Sequence, residues 1–270
     1  MSEYRLADTH MHSEFSEDSD TPVEVMLARA EELGQTVVYF TDHYDMDFPD
    51  DEFQLDTERY WDRLLDLRAK YRGRLEIRIG VEMGMQPHLG ERISAYLEKY
   101  PFDYVLGSLH LLEGKDVYYR DLFPDREDPD LFRSYFRETA ECLRVTEGIH
   151  ALGHLDYIVR YGRDHGKSYR PADYAEEIDE ILKELVRKEV ALELNSGGLK
   201  YGLGYPNPHP DVLRRYRELG GRRITFGGDA HVPQYLCHEF EELKRIALAN
   251  GFDEVTEFVQ GQPTNIKICP

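Results

Sequence analysis

Cysteine is scarce in this chain. Three occur in 270 residues, Cys142, Cys237 and Cys269, far apart and odd in number. That usage argues against a disulfide framework and suits reduced thiols in the cytoplasm. Long apolar runs are missing too. No stretch reaches the roughly 18 apolar residues of a membrane span, and residues 1–20 hold no apolar core of a secretory signal. A soluble cytoplasmic protein is the expectation. No Pro-, Ser- or Gly-rich linker divides the sequence, and no repeat or low-complexity segment appears. One domain over residues 1–270 is expected, long enough to bury a full barrel core. Positive charge is in deficit: Lys plus Arg is 33 against 53 Asp plus Glu, a net of −20. That disfavours nucleic acid and anionic membranes as partners. An anionic small substrate stays open, because bound cations reverse the sign locally. Tryptophan occurs once. Trp61, with Tyr60 and Phe132, falls at helical spacing and reads as core.

What is present is an alternation of strand-like and helix-like segments. Strand patterns fall at Arg5–His10, Thr36–Thr41, Leu75–Val81, Tyr104–Gly107, His150–Gly153, Val190–Leu194 and Arg223–Phe226. Thr21-Pro22 predicts a helix start, an N-cap followed by proline at the first helical position, and Gly34 a stop. Further helices are predicted near 56–71, 88–100, 129–147, 171–188, 210–219 and 234–250. Long loops follow strands two and four, at 44–55 and 111–128. Such alternation predicts a parallel sheet. Seven units fall one short of the usual eight, so an α/β fold of distorted (β/α)7 TIM-like barrel type is expected. An open doubly wound sheet is the alternative.

Nine residues with metal-binding side chains recur at the ends of these runs: His10, His12, Asp18, His43, Glu82, His110, His154, Asp229 and His231. One His after a strand means little. A His or carboxylate after six of seven successive strands implies convergence, because loops after parallel strands gather at one face of a barrel. His10 and His12 are two apart, so a strand presents both on one face, and the same holds for Asp229 and His231. If the sheet closes, strands one and seven are neighbours, which would give one ion two His ligands and a carboxylate. Glu82 is suited to bridge two ions, since a Glu on an apolar strand is costly without a partner. His110 and His154 would complete a second ion; Asp18, His43 and His231 would hold a third. Bland readings remain open for several. A solitary His110 or His154 also suits a hydrogen-bonded core histidine, and Asp18 also suits a solvated turn in the acidic run Glu17–Asp20. Imidazole mixed with carboxylate and no thiolate favours Zn, Fe or Mn at an open catalytic site.

Four motifs, Asp8-Thr9-His10-Met11-His12-Ser13, Thr41-Asp42-His43, Gly107-Ser108-Leu109-His110 and Gly228-Asp229-Ala230-His231, together resemble those of the PHP (polymerase and histidinol phosphatase) superfamily. Glu82 and Gly153-His154 lie between them in the expected order. Asp18 eight residues after His10, Asn195-Ser196-Gly197-Gly198-Leu199-Lys200, Tyr205-Pro206-Asn207-Pro208 and Phe258–Pro263 are similar to its histidinol-phosphate phosphatase branch. The resemblance implies a PHP-type barrel, a trinuclear metal site held by the nine residues, and hydrolysis of a small phosphate monoester, histidinol phosphate; two to three divalent ions are expected. One departure stands out. The branch often carries Thr-Ser-Gly-Leu-Arg where this chain has Ser196-Gly197-Gly198-Leu199-Lys200, and lysine offers a point charge in place of a fork. The rivals are a PHP phosphoesterase for nucleotides or sugar phosphates, a catalytically silent PHP binding module, and an amidohydrolase. The last usually needs a bridging lysine at a strand end, which is absent.

Phosphate monoesters hydrolyse extremely slowly unaided. Clustered divalent ions lower the pKa of water to about 7, neutralise phosphoryl oxygens and orient the ester for in-line attack. Arg160, shortly after His154, is the expected phosphate-binding cation, and Lys200 a second. Asp42 or His231 would help deliver a proton to the leaving oxygen. Glu113 and Asp116, in the loop after strand four, are candidates to meet the substrate's cationic amine or imidazole.

Overall fold

The computed structural model describes residues 6–268. Eleven strands run β1 Val37–Phe40, β2 His43–Tyr44, β3 Glu76–Gly84, β4 Tyr104–Ser108, β5 Leu111–Leu112, β6 Lys115–Asp116, β7 Ala151–Leu152, β8 Ala191–Asn195, β9 Ile224–Gly227, β10 Glu254–Val259 and β11 Gln262–Lys267. The helices are α1 Val23–Glu32, α2 Thr57–Lys70, α3 Gly90–Lys99, α4 Asp128–Val145, α5 Ala175–Lys188, the short α6 Gly197–Lys200, α7 Pro210–Glu218 and α8 Phe240–Ala249.

The main sheet is parallel, in the order β1-β3-β4-β7-β8-β9, so each stave neighbours the next in sequence. β1 and β2 pair with β3 in one continuous register, Phe40 opposite Ile79 and His43 opposite Glu82. They are two halves of one stave interrupted at Thr41-Asp42. Tyr60 of α2 braces the seam, its hydroxyl donating to the carbonyls of Phe40 and Gly80. These staves are buried on both faces, so they read as continuous apolar runs without alternation.

The predicted first strand is irregular. Arg5 lies outside the described residues, and Leu6–His10 carry no regular ladder. The segment still closes the sheet. Thr9 N donates to Phe226 O and His12 N to Ala230 O, each at 3.0 Å, while Thr41 N donates to Met11 O at 2.9 Å. Met11 forms a parallel bridge to Ala230. The buried Asp8 carboxylate substitutes for ladder partners by accepting from His10 N, Gly228 N and Cys237 N. The sheet therefore curls into the distorted seven-stave barrel that the alternation predicts.

Two elements differ from expectation. The helix predicted for 234–250 begins only at Phe240, because Cys237 and Glu239 adopt left-handed φ near 55° and break the turn before it. The hairpin β10–β11 has no counterpart among the predicted elements. It seats Phe258 in a lower interior layer with Ala7, Val37, Tyr39, Tyr104, Leu106, Ala151 and Ala191. Phe258 N and O both pair with the Tyr39 hydroxyl at 3.0 Å. Each large ring buried there contributes about 1.5–3 kcal/mol, which fixes the floor of the barrel below the charged upper layer. Among the described residues no helix is long and apolar enough to cross a membrane.

Candidate metal centre and active site

The C-terminal ends of the staves carry the candidate donors to one place. Segment 8–12 brings His10 and His12, β2 brings His43, β3 Glu82, the turn after β4 His110, and the turn after β7 His154. Asp229 and His231 follow β9. Asp229 sits at φ 50°, a left-handed conformation that aspartate tolerates better than most residues.

His10 Nε2 and His12 Nε2 stand 3.1 Å apart, and each lies 3.1–3.6 Å from Glu82 Oε2 and Asp229 Oδ1. Glu82 Oε1 lies 3.3 Å from His110 Nε2 and 3.1 Å from His154 Nε2. Asp18 Oδ2 lies 3.0 Å from His231 Nε2 and 3.7 Å from His43 Nε2. Four triads interlock through shared members, each with ligand atoms within 4.8 Å of one another. Two donors on one tetrahedral ion at about 2.0–2.2 Å stand roughly 3.3–3.6 Å apart. The spacings therefore fit coordination polyhedra better than direct hydrogen bonds between imidazoles. His43 Nδ1 and His231 Nε2 are buried and close to the Glu82 and Asp18 carboxylates, at 3.1 and 3.0 Å, yet make no well-aligned hydrogen bond, as ligands facing a shared cation would. Burial would raise the Glu82 carboxyl, but His10, His43 and His110 hold it well below its ordinary value. Burial likewise opposes ionisation of Asp229, and His10, His12 and His231 outweigh it. The carboxylates are thus ionised and ready for cations.

Behind these donors lies a second layer absent from the sequence-based expectations. Glu193 on β8 takes His10 Nδ1 at 2.7 Å, His154 N at 2.8 Å and Asn195 Nδ2 at 3.1 Å. Asp45 takes His110 Nδ1 at 2.7 Å. Each contact fixes the tautomer and turns the other ring nitrogen toward the cluster. Two glycines make room. A Cβ on Gly227 would collide with the Glu193 carboxylate, and one on Gly84 with that of Asp45. A charged residue inside the buried run Ala191–Asn195 is the signal that points to Glu193, by the same burial argument that singles out Glu82.

A cavity of about 670 Å³ opens above the cluster, walled by Asp18, His43, His154, Asp229 and His231 on its floor and by Arg160 and several tyrosines at its side. The Arg160 guanidinium lies 4.2–4.9 Å from the ring centres of Tyr157, Tyr161 and Tyr201. Its Nε has no hydrogen-bond partner, and no carboxylate pairs with it among the described residues. A desolvated cation in an aromatic cage, without a counter-ion, is arranged to receive an anion.

The PHP domain family matches residues 8–197. The chain belongs to the PHP family. It is 35% identical to the "Probable histidinol-phosphatase" of Clostridium acetobutylicum, over 89% of this chain and 92% of that one. It is 30% identical to the "Histidinol-phosphatase" of Lactococcus lactis, over 93% of each. A crystal structure of the histidinol phosphate phosphatase of Lactococcus lactis, complexed with Zn, L-histidinol and phosphate, matches with a TM-score of 0.88 at 28% identity, covering 97% of this chain and 100% of that one. A structure from Listeria monocytogenes, at TM-score 0.76 and 19% identity, shares the PHP fold.

In this PHP barrel eight of the nine expected donors share the interlocking triads, and Asp18, its side chain 43% exposed, adjoins them through His231 and His43. Other expectations need correction. Asp42 is buried and does not line the cavity. Its carboxylate is filled by Ser13 N, Ser13 Oγ and Ser16 Oγ, and burial pushes it up to about 6 against those hydrogen bonds. Ser16 Oγ meets His12 Nδ1 at 2.9 Å, so Asp42 reaches the cluster only through Ser16. Glu113 sits at the exposed tip of the β5–β6 hairpin, paired with Arg126 at 2.7 Å, outside the cavity wall. Asp116 accepts from Tyr118 N. Lys200 is likewise off the wall. Its Nζ packs 4.2 Å from the Tyr235 ring centre and 4.8 Å from that of Tyr201. The tyrosines around Arg160 escape sequence reasoning, because loop side chains obey no period that a sequence displays.

Proposed function

We infer that this chain is a metal-dependent phosphoric monoester hydrolase that converts histidinol phosphate to histidinol and phosphate, a step of histidine biosynthesis. The observation that carries the reading is the unpaired Arg160 guanidinium beside a cavity whose floor holds Asp18, His43, His110, His154, Asp229 and His231, with His10, His12 and Glu82 buried beneath. The relatives named above support the substrate. The donors suit two to three divalent ions of the Zn, Fe or Mn class, with His10, His12, Glu82 and Asp229 on one, Glu82, His110 and His154 on a second, and Asp18, His43 and His231 on a third. When bound, such ions supply a nucleophile at neutral pH and charge neutralisation at the phosphoryl oxygens.

The chain's own residues do the rest. Arg160 binds phosphoryl oxygens through its fork and holds the P–O ester bond over the donors. Tyr157, Tyr161, Tyr201 and Tyr118 give the wall aromatic faces that suit an imidazole or amine. Glu193 and Asp45 lock the tautomers of His10 and His110. Asp42 is a positioning residue that fastens the turn at 13–16 beneath His12. His231 belongs with the donors, since its Nε2 faces Asp18. The proposed unit is one domain across residues 1–270, working in the cytoplasm on a small molecule and not on nucleic acid or membrane. A silent binding module is the poorer reading, because a module has no need of a complete donor set.

Phosphate release from histidinol phosphate, an aryl phosphate and a nucleoside monophosphate tests this. The expected result is a clear preference in kcat/KM for histidinol phosphate, abolished by chelator and restored by Zn or Mn. Equal values for the three substrates would sink the histidinol assignment and leave a general phosphoesterase.

A further inference from the structure

The opposite end of the barrel holds a second, differently charged cavity. The stretch Arg68-Ala69-Lys70-Tyr71-Arg72-Gly73-Arg74-Leu75-Glu76-Ile77-Arg78 carries five cations and a single acid, in a chain whose net charge is −20. The chain turns back there, from the end of α2 into β3, and folds four of these cations around a cavity of about 660 Å³. Arg68, Arg72, Arg74 and Arg78 all line it, against two lining carboxylates, Glu76 and Asp103.

The pairing in the wall is incomplete. Arg68 is tied to Asp103 and to the Ile77 carbonyl. Arg78 meets Glu76 at 2.9 Å through one terminal nitrogen, and its buried Nε has no hydrogen-bond partner. Thr36 Oγ1, in the same wall, is also buried without one. Arg74 approaches Glu31 only at 3.6 Å, with its guanidinium over the Tyr71 ring. Arg72 is exposed, and no ion pair to it occurs among the described residues. Two anchored guanidiniums thus form the back of the cavity, and at its rim stand Arg72 and the loosely held Arg74.

We propose that this cavity binds a small polyanion, a molecule with two or more phosphate or carboxylate groups, separately from the metal centre. Guanidinium forks match those groups bidentately, and the forks of Arg72 and Arg74 beside the spare Nε of Arg78 select for more than one anionic centre. The volume lies within the usual range for small-molecule sites, roughly 300–1,000 Å³. A net negative surface elsewhere leaves this cavity as a local positive focus for an anion. The site sits at the start of β3, where Glu76 is the first residue, and Glu82 of the metal centre lies toward the other end of the same strand. The extended chain between these two glutamates spans about 20 Å. The two cavities are therefore too far apart to share one small ligand.

Inorganic pyrophosphate is the probe, titrated calorimetrically into the metal-loaded protein and into a metal-loaded Arg72→Ala/Arg74→Ala variant. Both residues are exposed, so the variant is expected to fold normally. The wild type should bind one more equivalent of pyrophosphate than the variant, or bind that equivalent at least roughly tenfold more tightly. Turnover of histidinol phosphate at low concentration should be equal in the two proteins. Identical isotherms would overturn the proposal, as would a loss of binding matched by an equal loss of kcat/KM, which would place the anion at the metal centre.

Discussion

Glu193 shows how much a residue outside the donor set matters. Its carboxylate joins three staves: it is carried on β8, takes the ring of His10 from the closing segment and takes the backbone N of His154 after β7. Glu193→Gln keeps the volume and removes the charge, so His10 becomes less basic and its tautomer less certain. Loss of such a partner typically costs about 10–100-fold in metal affinity. Metal retained after dialysis against a weak chelator should fall accordingly, while the circular dichroism spectrum stays the same; undiminished retention would remove Glu193 from this role. Arg160→Ala deletes the caged cation. Charge-assisted hydrogen bonds are worth about 1.5–3 kcal/mol each, so kcat/KM for histidinol phosphate should drop roughly 10- to 150-fold with metal content intact. A variant that loses metal along with activity would instead make Arg160 a structural residue. The convergence of the candidate donors was legible in the sequence, because strand ends of a parallel sheet converge and His and acid recur at those ends. Lys200 and Glu113 were misplaced because a loop fixes its side chains by tertiary contacts, here the Tyr235 ring and Arg126.

Elements were legible where period and caps agreed. Asp56 caps α2 by accepting from Arg59 N, and the helix runs almost over its predicted length. The first strand was harder, because Asp8 replaces part of its ladder by side-chain bonds that no hydropathy pattern reveals. The β10–β11 hairpin also escaped, since its outer strand is polar and exposed while its inner strand is fixed by Phe258 inside the barrel. The floor it forms makes a pH-dependent prediction. His150, stacked on Phe258 at 5.1 Å, accepts Val105 N through Nδ1, so it must be neutral there. Burial depresses it from 6.5 to about 4. The unfolded chain then binds more protons between those values. The stabilisation is complete above about pH 6.5 and is lost as pH falls toward about 4, a change of up to roughly 3 kcal/mol. His150→Gln keeps an acceptor for Val105 N without the titration. Urea unfolding from neutral pH down to the acid end of that window should therefore show a flatter decline in stability for the variant, and parallel declines would assign acid sensitivity to other groups.

At the scale of the whole molecule, the candidate centre is also the place where the barrel is held shut. Its donors come from the closing segment and from the staves or turns of β2, β3, β4, β7 and β9, so nearly every stave has a side chain in one cluster. The same cluster gathers Glu82, Glu193, Asp229 and Asp45 beneath a surface that is already net negative. Buried like charges repel in a medium of low dielectric, and imidazoles in the neutral form that binds a cation carry no charge to offset that repulsion. Cations that bind here and not to the unfolded chain stabilise the fold by mass action, about 2.7 kcal/mol for each site held at roughly 100 times its dissociation constant. For a chain of this size, about 1 kcal/mol moves Tm by roughly 2–4 °C. Stripping one such ion should lower Tm by about 5–10 °C, and stripping more should lower it further. Scanning calorimetry on the metal-loaded protein, on the chelated protein and after addition of Zn or Mn measures this. The expected sequence is a fall and a recovery, with activity following the same course. Activity that disappears on chelation while Tm stays fixed would mean that the barrel closes without its ions, and that the ligand-bearing staves are held together by Glu193, Asp8 and the lower apolar layer alone.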